Sequence, residues 1–321
     1  MKMIKYKPVD SLESPRFCGI RTFMRLPHVA TVEEADFAVV GVPFDTGVTF
    51  RVGARFGPEA IRSNSVLLKP YNIAQEINIF DYCSGYDYGD LPIVPGFIED
   101  SYEKIENGLF PLVDNGVIPI LLGGDHSITL AELRAVAKKH GSVSLLQFDS
   151  HTDTKEAYFG KRYNHGTPFK RAVEEGLILT EHSIQVGIRG SVYSKDDLEV
   201  SKDLGLELVT AVEIHKMGIS SIIERIRKRV GNAKVFITFD IDFVDATNAP
   251  GTGTPEVGGF TGVESLEIIR GLKGLNLIGC DVVEVLPAHD PTQVTAFLAS
   301  SIAYELISLI ALKKRDVMES R

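Results

Sequence analysis

Cysteine is scarce. Cys18, Cys83 and Cys280 are the only three in 321 residues, and no two lie close together. An odd, widely spaced set excludes a disulfide framework or a CxxC metal site and fits a reducing, cytoplasmic setting. Basic charge is also short. Lys and Arg number 34 against 43 Asp and Glu, for a net charge of −9. Such a chain lacks the basic field that holds nucleic acid or an anionic membrane. The opening residues carry no apolar run of signal-peptide type. The most apolar late segment, 294–312, contains Ser300, Ser301, Glu305 and Ser308. It reads as a buried helix rather than a membrane span. No linker, repeat or low-complexity tract divides the chain, so one domain over 1–321 is expected.

What is present is an alternation. Short apolar runs at 37–41, 117–122, 143–148, 183–188, 235–239 and 277–285 read as strands. Several are apolar on both faces, as strands of a covered parallel sheet are. Helical patterns fall between them, at 57–65, 100–115, 127–139, 167–176, 195–204, 219–230 and 263–272. The fold class is therefore α/β, with a mostly parallel sheet between helical layers. In such sheets ligands bind beyond the carboxyl ends of the strands.

Chemistry-bearing residues sit at those ends. Asp149, His151 and Asp153 follow the run ending at Phe148, and Asp240 and Asp242 follow the run through Phe239. In an extended chain, alternate residues share a face, so each set is expected to point one way. His126 follows Gly123-Gly124-Asp125 after a third run. Taken alone, His126 reads as a structural histidine, and Asp125 or Ser127 as a helix cap. Together, four carboxylates and two imidazoles are hard to bury without cations. Two divalent ions remove the conflict. A thiolate-free oxygen and imidazole set suits Mn²⁺, with Fe²⁺, Co²⁺, Ni²⁺ and Zn²⁺ left open. Paired ions can share and activate a water, which points to metal-assisted hydrolysis.

Three segments carry a resemblance. Gly123-Gly124-Asp125-His126-Ser127, Asp149-x-His151-x-Asp153, and Phe239-Asp240-Ile241-Asp242 with the 250–255 loop resemble the three signatures of the ureohydrolase (arginase/agmatinase) family. The resemblance spans about residues 15–315. The segment 15–28, within an N-terminal extension of residues 1–30, is similar to the agmatinase and guanidinobutyrase branch, as is 53–58. It implies a three-layer α/β/α sandwich and two Mn²⁺ per chain. His126 and Asp153 would hold one ion, His151 and Asp242 the other, and Asp149 and Asp240 would bridge. His165 would shuttle a proton and Glu284 would grip the guanidinium. The catalytic groups implied are His165, Glu284 and Asp153; Thr254, Tyr158, Glu284 and His165 would meet substrate. Agmatine, cleaved to putrescine and urea, is the first expectation, and a guanidino acid such as guanidinobutyrate or guanidinopropionate the second. A trimeric or hexameric assembly is also implied.

The departures from the family pattern are few. Ser150 stands where the family usually has Ala; being small, it is expected to point away from the ligands. Asp245-Ala246 replaces a common Asp-Pro. Residues 286–290, Leu-Pro-Ala-His-Asp, replace a frequent Ser-Pro-Pro-Tyr-Asp close to Glu284. The segment 155–164 carries Lys155, Tyr158, Lys161, Arg162 and Tyr163. An amine tail would want carboxylates there, and a carboxylate tail would want cations or hydroxyls; solvated surface charge is the plainer reading. A non-catalytic metal-binding relative and a single-zinc deacylase are the competing functions.

Overall fold

The computed structural model describes residues 4–320. Ten strands form: β1 (Phe37–Val42), β2 (Tyr71–Asn72), β3 (Ile77–Asn78), β4 (Gly85–Asp90), β5 (Ile118–Gly123), β6 (Ser144–Phe148), β7 (Ile184–Ile188), β8 (Glu207–Thr210), β9 (Lys234–Asp240) and β10 (Asn276–Val283). β2 and β3 make a separate small hairpin. The other eight build one sheet in the order β4-β1-β5-β10-β9-β6-β7-β8, and each of its pairings is parallel.

Side-chain alternation divides the core into two layers. Ile120, Leu122, Leu146, Phe148 and Ile237 face one way, against helices Gly57–Ser65, Ile219–Val230, Gly262–Gly271 and Val294–Glu319. Leu121, Leu145 and Phe236 face the other, against helices Ile98–Asp114 and Thr129–His140. This is the expected three-layer sandwich. The last helix is long and apolar enough to cross a membrane, yet most of it is packed inside this core. Burial on all sides explains why its apolar residues form no single stripe.

Besides the hairpin β2–β3, the strands that the sequence pattern does not mark are the large sheet's two edges. β4 reads Gly-Tyr-Asp-Tyr-Gly-Asp and β8 is four residues long. Edge strands need not be apolar on both faces, so the pattern that marks central strands fails there. The N-terminal segment covers the β4 edge. Gly85 N–H donates to the Tyr6 carbonyl, Asp87 N–H to Pro27, and Val29 N–H to Asp87. Phe23, Met24 and Leu26 enter the core.

One ion pair ties these pieces together. Arg62, on helix Gly57–Ser65, grips Asp87 of β4 with Nε at 2.8 Å and Nη2 at 3.0 Å. Asp87 also accepts from Phe23 N–H at 2.7 Å. Both side chains are nearly fully buried. Removing one partner leaves the other charge buried and unpaired. Arg62→Met is expected to cost about 3–5 kcal/mol in urea unfolding; a loss below 1 kcal/mol would show that the pair does not anchor this edge.

Candidate metal centre and active site

Four adjacent central strands, β5, β10, β9 and β6, end at one place. His126 follows β5, Asp149 to Asp153 follow β6, Asp240 and Asp242 close β9, and Glu284 follows β10. The convergence is as expected, but its local cause is different. β6 stops at Phe148, and Asp153 lies at φ 50°. Asp242 sits in a 3-10 turn and Asp240 caps it. Loop geometry, not strand alternation, aims these side chains. The expected strand through 285 likewise ends at Val283, because Glu284 takes φ 61°. Such a conformation is costly outside glycine and is held by its surroundings.

The carboxylates crowd the two imidazoles. His126 Nδ1 lies 3.1 Å from Asp149 Oδ2, 3.0 Å from Asp153 Oδ2 and 3.3 Å from Asp240 Oδ2. His151 Nδ1 lies 3.0 Å from Asp242 Oδ2 and 3.6 Å from Asp149 Oδ1. Two ligand-capable groups result, His126/Asp149/Asp153 and Asp149/His151/Asp242, with Asp149 in both. Asp240 stands beside the first.

Charge in this space is unbalanced. Burial raises the carboxyls of Asp153, to about 6, and of Asp240, well above its usual value. The neighbouring aspartates add to both shifts. Burial also opposes ionisation of Asp149, but His126 and His151 outweigh it and hold Asp149 low. Both histidines are lifted against burial by the acids.

The groups behind the site fit a metal. His126 Nε2 lies 2.8 Å from Thr238 Oγ1, which itself donates to Asp281 Oδ1 at 2.6 Å. With its proton committed to Asp281, the Thr238 oxygen accepts from Nε2–H. That tautomer turns the Nδ1 lone pair toward the carboxylates. Nδ1 is buried without a hydrogen-bond partner, as is Asp242 Oδ2. Lone pairs facing one another across about 3 Å call for a cation between them. Asp149 is steadied by Gln147 Nε2 at 2.7 Å and by His151 N–H at 2.6 Å.

Glu284 and His165 stand next to this centre. Glu284 Oε1 accepts from His126 N–H at 2.9 Å and faces His165 Nδ1 at 3.1 Å. Its Oε2 is buried and has no hydrogen-bond partner. On its other side, His165 Nε2 meets Thr49 N–H at 3.1 Å and Thr49 Oγ1 at 2.8 Å. The Thr49 N–H favours a neutral ring with Nδ1–H toward Glu284. Burial also opposes the imidazolium, but the bond to Glu284 and its charge outweigh this and lift the pKa to about 9. Thr49 arrives on a loop that packs against Gly124. A Cβ there would stand 2.5 Å from the Phe44 and Val42 carbonyls, so only glycine permits the approach.

A cavity of about 460 Å³ opens from the centre. Thr254, Tyr158, His165 and Lys155 line it, as do Asp197 and Tyr193. Lys161 and Arg162 do not line it; Arg162 pairs with Glu174 at 2.7 Å. Lys155 Nζ pairs with Asp197 Oδ1 at 2.5 Å and lies 5.0 Å from the centre of the Tyr193 ring. Asp197 Oδ2 accepts from Tyr193 N–H at 2.8 Å and Ser194 N–H at 3.3 Å. Arg189, also at the wall, gives its N–H groups to carbonyls, including those of Asp242 and Glu256.

Sequence reading missed Thr49, Asp197, Thr238 and Asp281. For two of them a signal existed: Thr238 and Asp281 are polar residues inside buried apolar strands. Ser150 is a correction. Its hydroxyl does not point away but donates to Asp242 Oδ1 at 2.8 Å.

Comparison with known proteins gives the family and the fold. A model of the arginase family matches residues 35–308. Guanidinobutyrase from Pseudomonas aeruginosa is 42% identical over 308 residues, covering 95% of this chain and 97% of its own. Mitochondrial agmatinase from Gallus gallus is 42% identical over 292 residues, covering 91% and 86%. Among solved structures, proclavaminate amidinohydrolase from Streptomyces clavuligerus superimposes with a TM-score of 0.90 at 40% identity, covering 94% of this chain and 100% of that one. The chain belongs to the arginase family, and it is a ureohydrolase acting on an amidino C–N bond of a guanidino compound.

Proposed function

We propose that the substrate is a guanidino acid, cleaved to urea and an amino acid. The observation that carries this is the Lys155–Asp197 pair. Asp197 is already occupied by one ammonium and two backbone N–H groups. It has little left to offer an amine tail. Lys155 has three donors and spends one on Asp197. It is thus the cavity cation with exposed N–H groups to spare for a carboxylate, whereas both terminal nitrogens of Arg189 go to carbonyls and its Nε is buried. Agmatine would have to separate the pair and place its ammonium beside Lys155.

His126 and Asp153 would hold one divalent ion, His151 and Asp242 a second, with Asp149 and Asp240 between them. The oxygen and imidazole donors support Mn²⁺. Bound there, the two ions would supply Lewis acidity and an activated water. Glu284 Oε2 would accept from the guanidinium fork. Thr254 and Tyr158 would bound the substrate's path. Water adds to the guanidinium carbon and gives up both its protons on the way to the urea carbonyl, the bond to the substituted nitrogen breaks, and that nitrogen leaves with two added protons, one of them delivered by His165.

A urea-release panel tests the substrate. Guanidinobutyrate should be cleaved with higher kcat/KM than agmatine or arginine. Lys155→Met should raise KM for guanidinobutyrate about tenfold, the low end for a hydrogen bond to a charged group. Faster cleavage of agmatine, or an unchanged KM in Lys155→Met, would refute the carboxylate reading. Elemental analysis should return two ions per chain; one would favour the single-zinc reading. No urea from any guanidino substrate would favour the non-catalytic one.

The pH profile tests His165. A proton donor works while protonated, and this ring is protonated below a pKa of about 9. kcat/KM, which reports the free enzyme, should hold through neutral pH and fall as pH rises through that value. His165→Asn should lower kcat by about 10²–10⁴-fold, the range for losing a general acid, and flatten that limb. A variant that keeps the limb would assign it to another group.

A further inference from the structure

A ring that donates a proton must release it from one nitrogen, and the contacts of His165 decide which. Glu284 Oε1 faces Nδ1 at 3.1 Å and holds the proton there whether the ring is charged or neutral. Thr49 N–H, 3.1 Å from Nε2, can only donate, so the neutral ring keeps its lone pair on Nε2. The proton that comes and goes is therefore the one on Nε2. Among the described residues, the acceptor that stands before it is Thr49 Oγ1, 2.8 Å away.

The loop that brings Thr49 is seated on His165 twice. His165 N–H donates to the Gly47 carbonyl at 2.9 Å, and Thr49 meets the ring. The loop itself is pinned. Gly47 N–H donates to Asp125 Oδ2 at 2.8 Å, and buried Asp45 accepts from Gly53 N–H at 2.8 Å and Arg55 Nε at 2.6 Å. Thr49 also lines the cavity, together with His165 and Thr254. Among the described residues its hydroxyl meets no group but Nε2. A hydroxyl has one proton and two lone pairs. While Oγ1 accepts from Nε2–H, its own proton is free to face the cavity.

We propose that the Thr49 hydroxyl carries the proton from His165 to the leaving nitrogen. The inference rests on His165 being the acid of the proposed reaction. As the C–N bond breaks, its electron pair forms a bond to the Thr49 hydroxyl proton. The pair freed on Oγ1 takes the Nε2 proton, and Nε2 keeps the pair that had held it. Thr49 ends as a hydroxyl, the ring ends neutral, and one positive charge passes to the departing amine. Nε2 then accepts from Thr49, and a cavity water can reload the ring by the reverse path.

The test is urea release from guanidinobutyrate and from its analogue with oxygen in place of the methylene beside the leaving nitrogen. Thr49→Val keeps the shape and the backbone N–H and removes the hydroxyl. It should lower kcat for guanidinobutyrate about 10²-fold, the low end for losing a general acid, and Thr49→Ser should recover most of that loss. In His165→Asn the same change should cost nothing further, since a relay acts only through the ring. The oxygen analogue releases a more weakly basic amine, which departs with less help from an acid. There the Thr49→Val penalty should shrink to about tenfold or less. An equal penalty on both substrates, or one that adds in full to that of His165→Asn, would make Thr49 a structural support and overturn the relay. Wild-type kcat in Thr49→Val beside a large loss in His165→Asn would overturn it as well. Wild-type kcat in His165→Asn would instead overturn the acid itself.

Discussion

Four carboxylates share one buried space with two imidazoles, and that space must be brought near neutrality. Asp149, Asp153, Asp240 and Asp242 cannot all stay ionised in contact without positive charge between them. The crowding shows in the shifts: the acids lift both histidines, and burial lifts Asp153 and Asp240. Divalent cations supply that positive charge well, because each brings two charges and takes several oxygens. The scaffold is built to bear the cost of this gathering. β5, β6, β9 and β10 lie side by side in the sheet's centre, apolar for most of their length, and their carboxyl ends lead directly into the acids and imidazoles of the site. The folded core holds the acids together against their repulsion.

Positioning reaches behind the ligands. His126 rests on Thr238, Thr238 on Asp281, and Asp281 also accepts from Thr129 Oγ1 at 2.8 Å. Asp149 rests on Gln147, whose Oε1 accepts from Gln185 Nε2 at 2.5 Å. Each chain of contacts runs from a central strand to a ligand, so a rigid element fixes the direction of a lone pair. Ligands held in this way lose little freedom when a cation arrives, and that preorganisation is the scaffold's contribution to affinity.

The ligand set was legible because its members fall in short clusters directly after apolar runs. Asp149, His151 and Asp153 announce themselves within five residues, and Asp240 and Asp242 within three. The reason given for their convergence was less secure than the result. Alternation along a strand assumed extended backbone, whereas Asp153 is left-handed and Asp242 sits in a 3-10 turn. The central strands were legible and the edges were not, because β4 is rich in glycine, tyrosine and aspartate and β8 is four residues long, so neither has the continuous apolar run of the centre. Thr49 and Asp197 were hidden for a different reason. Thr49 is 116 residues from His165 and Asp197 is 42 residues from Lys155, and neither has a local pattern that a sequence period could reveal. Ser150 is small yet meets a ligand, because its hydroxyl needs only one bond's length to reach Asp242.

Glu284 joins the parts into one device. Its Oε1 serves the protein, accepting from His126 N–H and facing His165, while Oε2 is free of hydrogen bonds. The left-handed backbone at this residue turns the carboxylate off the strand and into that position. In the proposed reaction a guanidinium takes Oε2 and brings a positive charge to the carboxylate that lifts His165. Sharing Glu284 weakens its hold on the imidazolium, so the pKa of His165 falls from about 9 while substrate is bound. The ring then gives up its proton more readily, as C–N cleavage requires. Urea is neutral, so once the guanidinium is consumed Glu284 recovers its full pull and His165 takes a proton back. In the proposed reaction, then, the group that orients the substrate also times the acid, without any change of fold.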